Sequence, residues 1–325
     1  MSRVSVVLCS YNQAQYLPHA IESVFQQTHP DVELVIVDNG SSDASQEIMK
    51  RHADDPRVKL LMFPDNQAVG KRLNAGIRAS TGEYISILYS DDYYLPHKLA
   101  SQVAIFEKLP PRVGIVYSPG MRHDVRTDEK WKDPSPTVSG NIFHDLLTQS
   151  VVMHPITPLV RRECFEKYPF LEDIFVEGEG IFIRMALKYH FHFDPEITAV
   201  MRDTPSNIGR AVRRNTELAF IAMEKLERDP DFPEHERQTL EDMRTWIYKA
   251  AGWQAIRVME DGKWGREMLL KGVRHKPSIL ASPRVLANLL LTFAPKPALG
   301  HMNRVLNRLR GYKGNMNYVP EEKKT

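Results

Sequence analysis

Short runs of aliphatic and β-branched residues alternate with amphipathic stretches over the first third of the chain. Residues 4–8, 32–37, 58–63, 84–88 and 114–117 are near-continuously apolar and predict strands covered on both faces. Between them, residues 14–27 carry Leu17, Ile21, Val24 and Phe25 on one helical face, and residues 69–80 and 96–109 repeat that pattern. Strand and helix alternating at this spacing predict βαβ units, an α/β fold with a mostly parallel sheet and helices on both faces. Ligands of such sheets bind beyond the carboxyl ends of the strands.

Residues 120–140 lose periodicity, are rich in charge and are broken by proline, which predicts a surface loop flanking a site. Helices are expected at 142–150, 161–168 and 181–189, and short strands at 157–160, 190–193 and 197–201. After Thr204-Pro205 the strand signal stops. Residues 206–228, 234–260, 263–274 and 283–310 read as helical, punctuated by Pro230, Pro233, Gly262, Pro277, Pro283 and Pro295. The expected organisation is an α/β domain over 1–204 and a helical C-terminal extension over 205–325. Residues 253–277 resemble one helix-turn-helix repeat unit, and a single unit does not make a solenoid.

Composition narrows the class. The 325 residues are 42% hydrophobic and 26% charged, the profile of a globular protein rather than a disordered one. A net charge of +2 argues against a nucleic-acid partner. That total conceals a segregation: residues 1–270 carry 32 Lys and Arg against 39 Asp and Glu, whereas residues 271–325 carry 11 against 2. Cys9 and Cys164 stand far apart in no metal-binding spacing, so neither a disulfide framework nor structural zinc is expected. The first apolar run is too short for a signal peptide, and that at 285–294 falls short of the ~20 residues of a spanning helix. The expected location is cytoplasmic, either free or peripheral on the inner face of the cell membrane.

Candidate chemistry collects at the strand ends. The first predicted strand runs into Ser10-Tyr11-Asn12, the second into Asp38-Asn39-Gly40-Ser41-Ser42-Asp43, and the fourth into Tyr89-Ser90-Asp91-Asp92. Adjacent carboxylates at a sheet edge repel unless a cation or a hydrogen-bond network offsets them, and hard divalent metals that bridge phosphates take one or two such groups. A metal-bound diphosphate is the ligand these clusters suit.

These segments, with Asn66-Gln67-Ala68-Val69-Gly70-Lys71-Arg72-Leu73-Asn74-Ala75-Gly76 and Gly82-Glu83-Tyr84-Ile85 in order between them, resemble family 2 glycosyltransferases of the GT-A fold. The resemblance spans about 100 residues, weakens from about residue 120 and is faint beyond 205. It implies inverting transfer of a sugar from a UDP-, GDP- or dTDP-linked donor to a carbohydrate, lipid-linked or other hydroxyl acceptor, as in cell-surface polysaccharide or glycolipid synthesis. Mg²⁺ or Mn²⁺ would hold the diphosphate. Asp38 would accept a hydrogen bond from the base, Tyr11 and Asn12, following Ser10, would frame base and ribose, and Asn66, Gly70, Lys71 and Arg72 would lie beside the nucleotide. Asp91, after Ser90, falls on the family's metal-binding aspartate, with Asp92 next to it. His154 lies where the family approaches its acceptor.

Two positions depart from the family pattern. Tyr89 replaces the leading aspartate of the metal motif, and in Glu177-Gly178-Glu179-Gly180-Ile181-Phe182-Ile183-Arg184, aligned on Arg184, Gly178 takes the place of the expected catalytic Asp. An inverting transfer needs a carboxylate within hydrogen-bond reach of the acceptor hydroxyl. Either Glu177 or Glu179 has the length, and Glu179 is favoured because flanking glycines let its backbone adjust.

Plainer roles compete at several of these positions. Asp43 reads as a turn former, Asp92 also suits the cap of the helix near Pro96, His154 suits a structural role, and Arg202-Asp203 could border the diphosphate but reads more readily as a salt-bridged turn. Arg304, Arg308, Arg310 and Lys313 follow an apolar helix at helical spacing, a pattern shared by membrane-surface helices and by solvated basic faces. The rival readings are a nucleotide-sugar-binding relative with weak or no turnover, and a sugar nucleotidyltransferase. The latter wants a Gly-rich, Arg-containing phosphate loop after the first strand, and residues 10–15 contain neither Gly nor Arg.

Overall fold

The computed structural model describes residues 2–132, 137–151, 153–204 and 211–309. The chain divides into two compact units, Met1–Thr204 with Pro230–Phe232, and Pro205–Asp229 with Pro233–Thr325.

In the first unit the strands are β1 (Val4–Ser10), β2 (Val32–Asn39), β3 (Val58–Phe63), β4 (Tyr84–Tyr89), β5 (Tyr93–Tyr94), β6 (Val113–Tyr117), β7 (Gly120–Asp124), β8 (Lys130–Lys132), β9 (Leu159–Arg161), β10 (His190–Phe193) and β11 (Ala199–Asp203). The helices are α1 (Leu17–Phe25), α2 (Ser45–Lys50), α3 (Val69–Ala79), α4 (Lys98–Phe106), α5 (Phe143–Leu147), α6 (Arg162–Lys167) and α7 (Gly180–Met185). Seven strands form one sheet in the order β10-β6-β9-β4-β1-β2-β3, parallel except for β9, which runs antiparallel to both neighbours. A second sheet has the order β5-β11-β7-β8.

Every residue of β1 is buried, as its unbroken apolar run requires. Val4, Val6 and Leu8 join Leu17, Ile21 and Val24 of α1 and Leu99, Val103 and Phe106 of α4 in one core. On the opposite face α3 presses down through Gly76, where a Cβ would collide with Val7 and come within 2.9 Å of Val37. Cys9 and Cys164 are buried free thiols.

The expectation of a loop over 120–140 is corrected. Gly120–Asp124 is strand β7, parallel to β11, and Lys130–Lys132 returns antiparallel to it as β8. No apolar alternation announces β7, because its half-buried side chains face polar partners: Arg122 pairs with Asp203 and His123 with Asp128. Residues 133–136 lie outside the described residues. Asp92 does not cap the helix near Pro96, since two residues of β5 follow it and α4 begins at Lys98 after His97.

The second unit contains α8 (Val212–Glu227), α9 (Arg237–Arg257), α10 (Gly262–His275), α11 (Pro283–Leu291) and α12 (Lys296–Leu309). The single helix expected over 283–310 is two, broken before Pro295. Proline lacks the amide a continuing helix needs and disfavours helical backbone in the residue before it. Helices α9 and α10 meet through small residues: the ideal Cβ of Gly265 lies 3.2 Å from Ala255 Cβ, and one on Gly252 would strike Leu269. Of the expected basic tail, Arg304 is exposed on α12, whereas the side chain of Arg308 and residues Arg310 and Lys313 lie outside the described residues. No helix among the described residues is long and apolar enough to cross a membrane.

The contact of α3 with the sheet gives a direct test. Gly76→Leu forces Val7 and Val37 off their positions, and overpacking of this kind costs about 1–3 kcal/mol. The urea midpoint of the full chain is expected to fall accordingly. An unchanged midpoint would place α3 further from the sheet.

Candidate functional site

Register brings the polar clusters together. β1 lies between β4 and β2, with Ser10 opposite Asp38 and Cys9 opposite Tyr89, so the three strands end side by side. The loops beyond them are tied to one another by side chains. Asn12, held at φ 50°, accepts at Oδ1 from the Ser42 amide (2.8 Å), while its own amide donates to Ser41 Oγ (2.9 Å). Asp43 accepts from the amides of Ala14 (3.0 Å) and Ser45 (2.9 Å), the turn role its sequence suggests. Tyr11 stands out at 42% exposure, and Ser10 Oγ is buried with no hydrogen-bond partner.

Asp38 is wholly buried, and its carboxylate accepts from the Ser41 amide (3.1 Å) and Gln46 Nε2 (2.9 Å). The next turn is held by Gly40 at φ 77°, where a Cβ would come within 2.5 Å of the Asp65 backbone. Asn39 ties that turn to the loop before α3, donating to Asn66 Oδ1 (2.9 Å) and accepting from Arg72 Nε (2.8 Å). Arg72 is turned inward: it also donates to Asp65 (2.9 Å), and its guanidinium lies 3.8 Å from the Phe63 ring centroid. Lys71 beside it is exposed, as is Asn66.

At the end of β4, Ser90 is buried and the two carboxylates that follow it are drawn out of water. Burial raises the Asp91 carboxyl above its ordinary range against the opposing charge of Arg202. Burial and then the Asp91 charge raise Asp92 further. Arg202, at the end of β11, braces this turn twice: its amide donates to Asp92 Oδ1 (2.9 Å) and its guanidinium to the Asp91 carbonyl (2.8 Å). The same guanidinium contacts His19 Nδ1 and lies 4.6 Å from the Tyr93 ring centroid. Arg202 thus contacts the turn that carries the two candidate carboxylates, and its neighbour Asp203 forms a salt bridge with Arg122. Its sequence neighbours carry no signal of this, because its partners are more than 100 residues away.

The two glutamates differ. Glu177, with a side chain 1% exposed, is gripped by Arg184 (2.6 and 3.0 Å) and accepts from the Leu171 amide (2.8 Å). Glu179, two residues on, is exposed at the start of α7, after Gly178 at φ 57°. Burial pushes the pKa of the Tyr89 hydroxyl up, and the neighbouring Cys9 and then the charges of Glu179, Asp92 and Asp91 add to that rise. The glutamate loop is held against α3. Gly70 leaves room for the Leu171 carbonyl, the Val69 amide donates to the Phe175 carbonyl (2.8 Å), and Asn74 exchanges hydrogen bonds with the Phe170 backbone (2.9 and 3.0 Å). His154 lies beside Arg122 (3.5 Å), whose charge acts on Asp92.

No three His, Cys, Asp or Glu side chains converge as a cage for a metal among the described residues. The donor set at Asp91 and Asp92 nevertheless suits a hard divalent cation of the kind held by one or two carboxylates and completed by phosphate oxygens. Two adjacent carboxyls raised by burial are a charge deficit that such a cation offsets.

The chain is similar to known proteins in sequence and in fold. A glycosyltransferase of Nostoc sp., described as uncharacterized, is 42% identical over 106 residues, 32% of this chain and 33% of its own. The putative glycosyltransferase EpsE of Bacillus subtilis is 34% identical over 108 residues, 33% of this chain and 39% of its own. The chain thus spans a third or slightly more of these curated relatives' length. Among solved structures, S. aureus TarS 1–349 in complex with UDP-GlcNAc superposes with a TM-score of 0.64 at 15% identity, over 95% of this chain and 92% of that one. The mannosyltransferase PcManGT of Pyrobaculum calidifontis, in complex with GDP-Man and Mn²⁺, gives 0.60 at 18% identity, over 96% and 82%. Both share the GT-A fold seen here. The model of glycosyl transferase family 2 matches residues 5–169, half of the chain, and the protein belongs to that family.

Proposed function

We propose that the protein transfers a sugar, with inversion, from a nucleoside diphosphate donor to a hydroxyl of a carbohydrate or lipid-linked acceptor, in the synthesis of a surface polysaccharide or glycolipid. One observation carries this reading: Asp38 and the pair Asp91 and Asp92 lie at the ends of strands on either side of β1, and the charge of the exposed Glu179 reaches Tyr89 at the end of β4. The UDP-GlcNAc and GDP-Man bound by the structural neighbours support a nucleotide-sugar donor.

In this reading Asp38 receives a base N–H, and the exposed Tyr11 ring covers the nucleoside from the β1 side. Lys71, an outward cation in the first turn of α3, reaches for a phosphate, whereas Arg72 keeps the β2 and α3 loops in register. Asp91 and Asp92 would hold Mg²⁺ or Mn²⁺, which when bound supplies positive charge against the departing diphosphate. Arg202 keeps both carboxylates in place through the backbone. Glu179 takes the proton of the acceptor hydroxyl as that oxygen attacks the anomeric carbon opposite the leaving diphosphate. Glu177 positions Glu179 by fixing the start of α7 to Arg184. A nucleotide-sugar-binding relative without turnover is the second reading, favoured by Tyr89 and Gly178 where the family has aspartates.

The glutamates separate by experiment. Glu179→Gln is expected to lower kcat by about 10²–10⁴-fold while donor binding holds. Glu177→Gln leaves Arg184 without its charge partner, and breaking a buried pair costs about 3–5 kcal/mol, seen as a lower thermal midpoint. Turnover retained in Glu179→Gln would remove Glu179 from the base position.

A thermal-shift panel of UDP-, GDP- and dTDP-sugars with and without Mn²⁺ tests the donor site. One donor is expected to raise the midpoint in a metal-dependent way. A flat response across the panel would count against the proposal, and donor binding indifferent to chelator with no turnover would favour the second reading.

Asp91→Asn tests the carboxylate pair. Raised carboxyl pKa values mean that ionisation at neutral pH costs the fold stability, so removing one charge is expected to raise the metal-free midpoint. The Mn²⁺ increment and turnover should both disappear. A lower metal-free midpoint would mean that Asp91 stabilises the fold.

A further inference from the structure

The second unit combines cationic charge with apolar exposure. Residues 268–309 contain seven Lys and Arg and no Asp or Glu. Helix α11 buries Val285 in the core of this unit and turns Leu286 (44% exposed) and Leu290 (73%) outward, with Phe293 (66%) continuing the row just past its end. Beside that row lies a cleft of about 790 Å³ whose walls include Lys263, Arg266, Lys296 and Phe293. The Arg266 guanidinium is 4.3 Å from the Phe293 ring centroid, so the cleft and the row meet at that side chain. Asp261 in the cleft wall is already engaged, accepting from Arg213 (2.7 Å) and capping α10 through the Trp264 amide (2.9 Å). Glu260 is turned against Gly300 of α12.

Three large apolar side chains in one exposed row are costly in water and mark a surface that meets something else. The charge beside them indicates what. A second copy would bring one basic face against another, since residues 268–309 contain no acid and the acids beside them are engaged within the chain, Asp261 with Arg213, Glu267 with Lys271 and Glu260 against Gly300. An anionic lipid surface satisfies both features: aliphatic and aromatic side chains enter the headgroup boundary while Lys and Arg meet lipid phosphates.

We propose that the α11 edge of the second unit docks on an anionic lipid surface, with Leu286, Leu290 and Phe293 entering the headgroup boundary and Lys263, Arg266 and Lys296 holding phosphates in the adjoining cleft. This docking does not rest on glycosyl transfer, and its test is independent of donor binding.

The test is cosedimentation of the full chain with vesicles of phosphatidylcholine alone or with about one third phosphatidylglycerol. Binding is expected to be at least about tenfold tighter to the anionic vesicles and to weaken as salt is raised. Leu290→Glu with Phe293→Glu, and separately Arg266→Glu with Lys296→Glu, should each reduce it by about tenfold or more, with the helical circular dichroism of the full chain unchanged. Leu290→Ser, at the most exposed position, serves as a variant whose folding is not at risk, and should weaken binding in the same direction. Equal binding to both vesicle types, no binding to either, or wild-type binding by the double variants would overturn the proposal. So would light scattering showing a dimer that Leu290→Ser dissociates, which would assign the face to a second copy.

Discussion

Two carboxylates side by side and out of water are the constraint around which the first unit is arranged. Asp91 and Asp92 are each raised by burial, and the second is raised again by the charge of the first. Left alone, such a pair would open the turn to solvent. Arg202 prevents this from 110 residues further along the chain, taking the Asp91 carbonyl and one Asp92 oxygen into hydrogen bonds while its own guanidinium is fixed by His19 and Tyr93. The second sheet thereby gains a purpose: β11, between β5 and β7, delivers Arg202 to the end of β4.

The glutamate loop shows a division of labour between neighbouring residues of the same type. The Glu177 side chain is buried, charge-paired and bonded to backbone, which fits it to hold a loop and keeps its carboxylate out of contact with solvent. Glu179 has the opposite surroundings. Glycine at 178 lets the chain turn between them at a positive φ that other residues adopt at a cost. The segment from Val69 to Asn74 receives this loop, through Gly70, Asn74 and the Val69 amide.

The second unit follows a different logic. Its interior depends on close approach of α9 and α10 at Gly252 and Gly265, and its exterior on a one-sided distribution of cations. The near-neutral charge of the whole chain says little about either unit, because acidic and basic parts are separated along the sequence.

The sequence by itself determined the parallel strands and their covering helices, since wholly buried strands require runs such as residues 4–8 and a helix on a sheet requires one apolar face. It also determined that Asp38, Asp91 and Asp92 share an edge, because parallel strands of one sheet end together. Strand β7 was hidden, as its residues satisfy themselves with polar partners and its pairing with β11 joins positions about eighty apart in sequence. Arg72, Arg202 and the two glutamates were legible as charged residues but not in their roles. Whether a guanidinium or a carboxylate is turned inward to bind backbone or outward toward a substrate depends on groups brought close only by folding, and periodicity carries no record of them. That was left to the tertiary structure, because desolvation and hydrogen bonding act through space rather than along the chain.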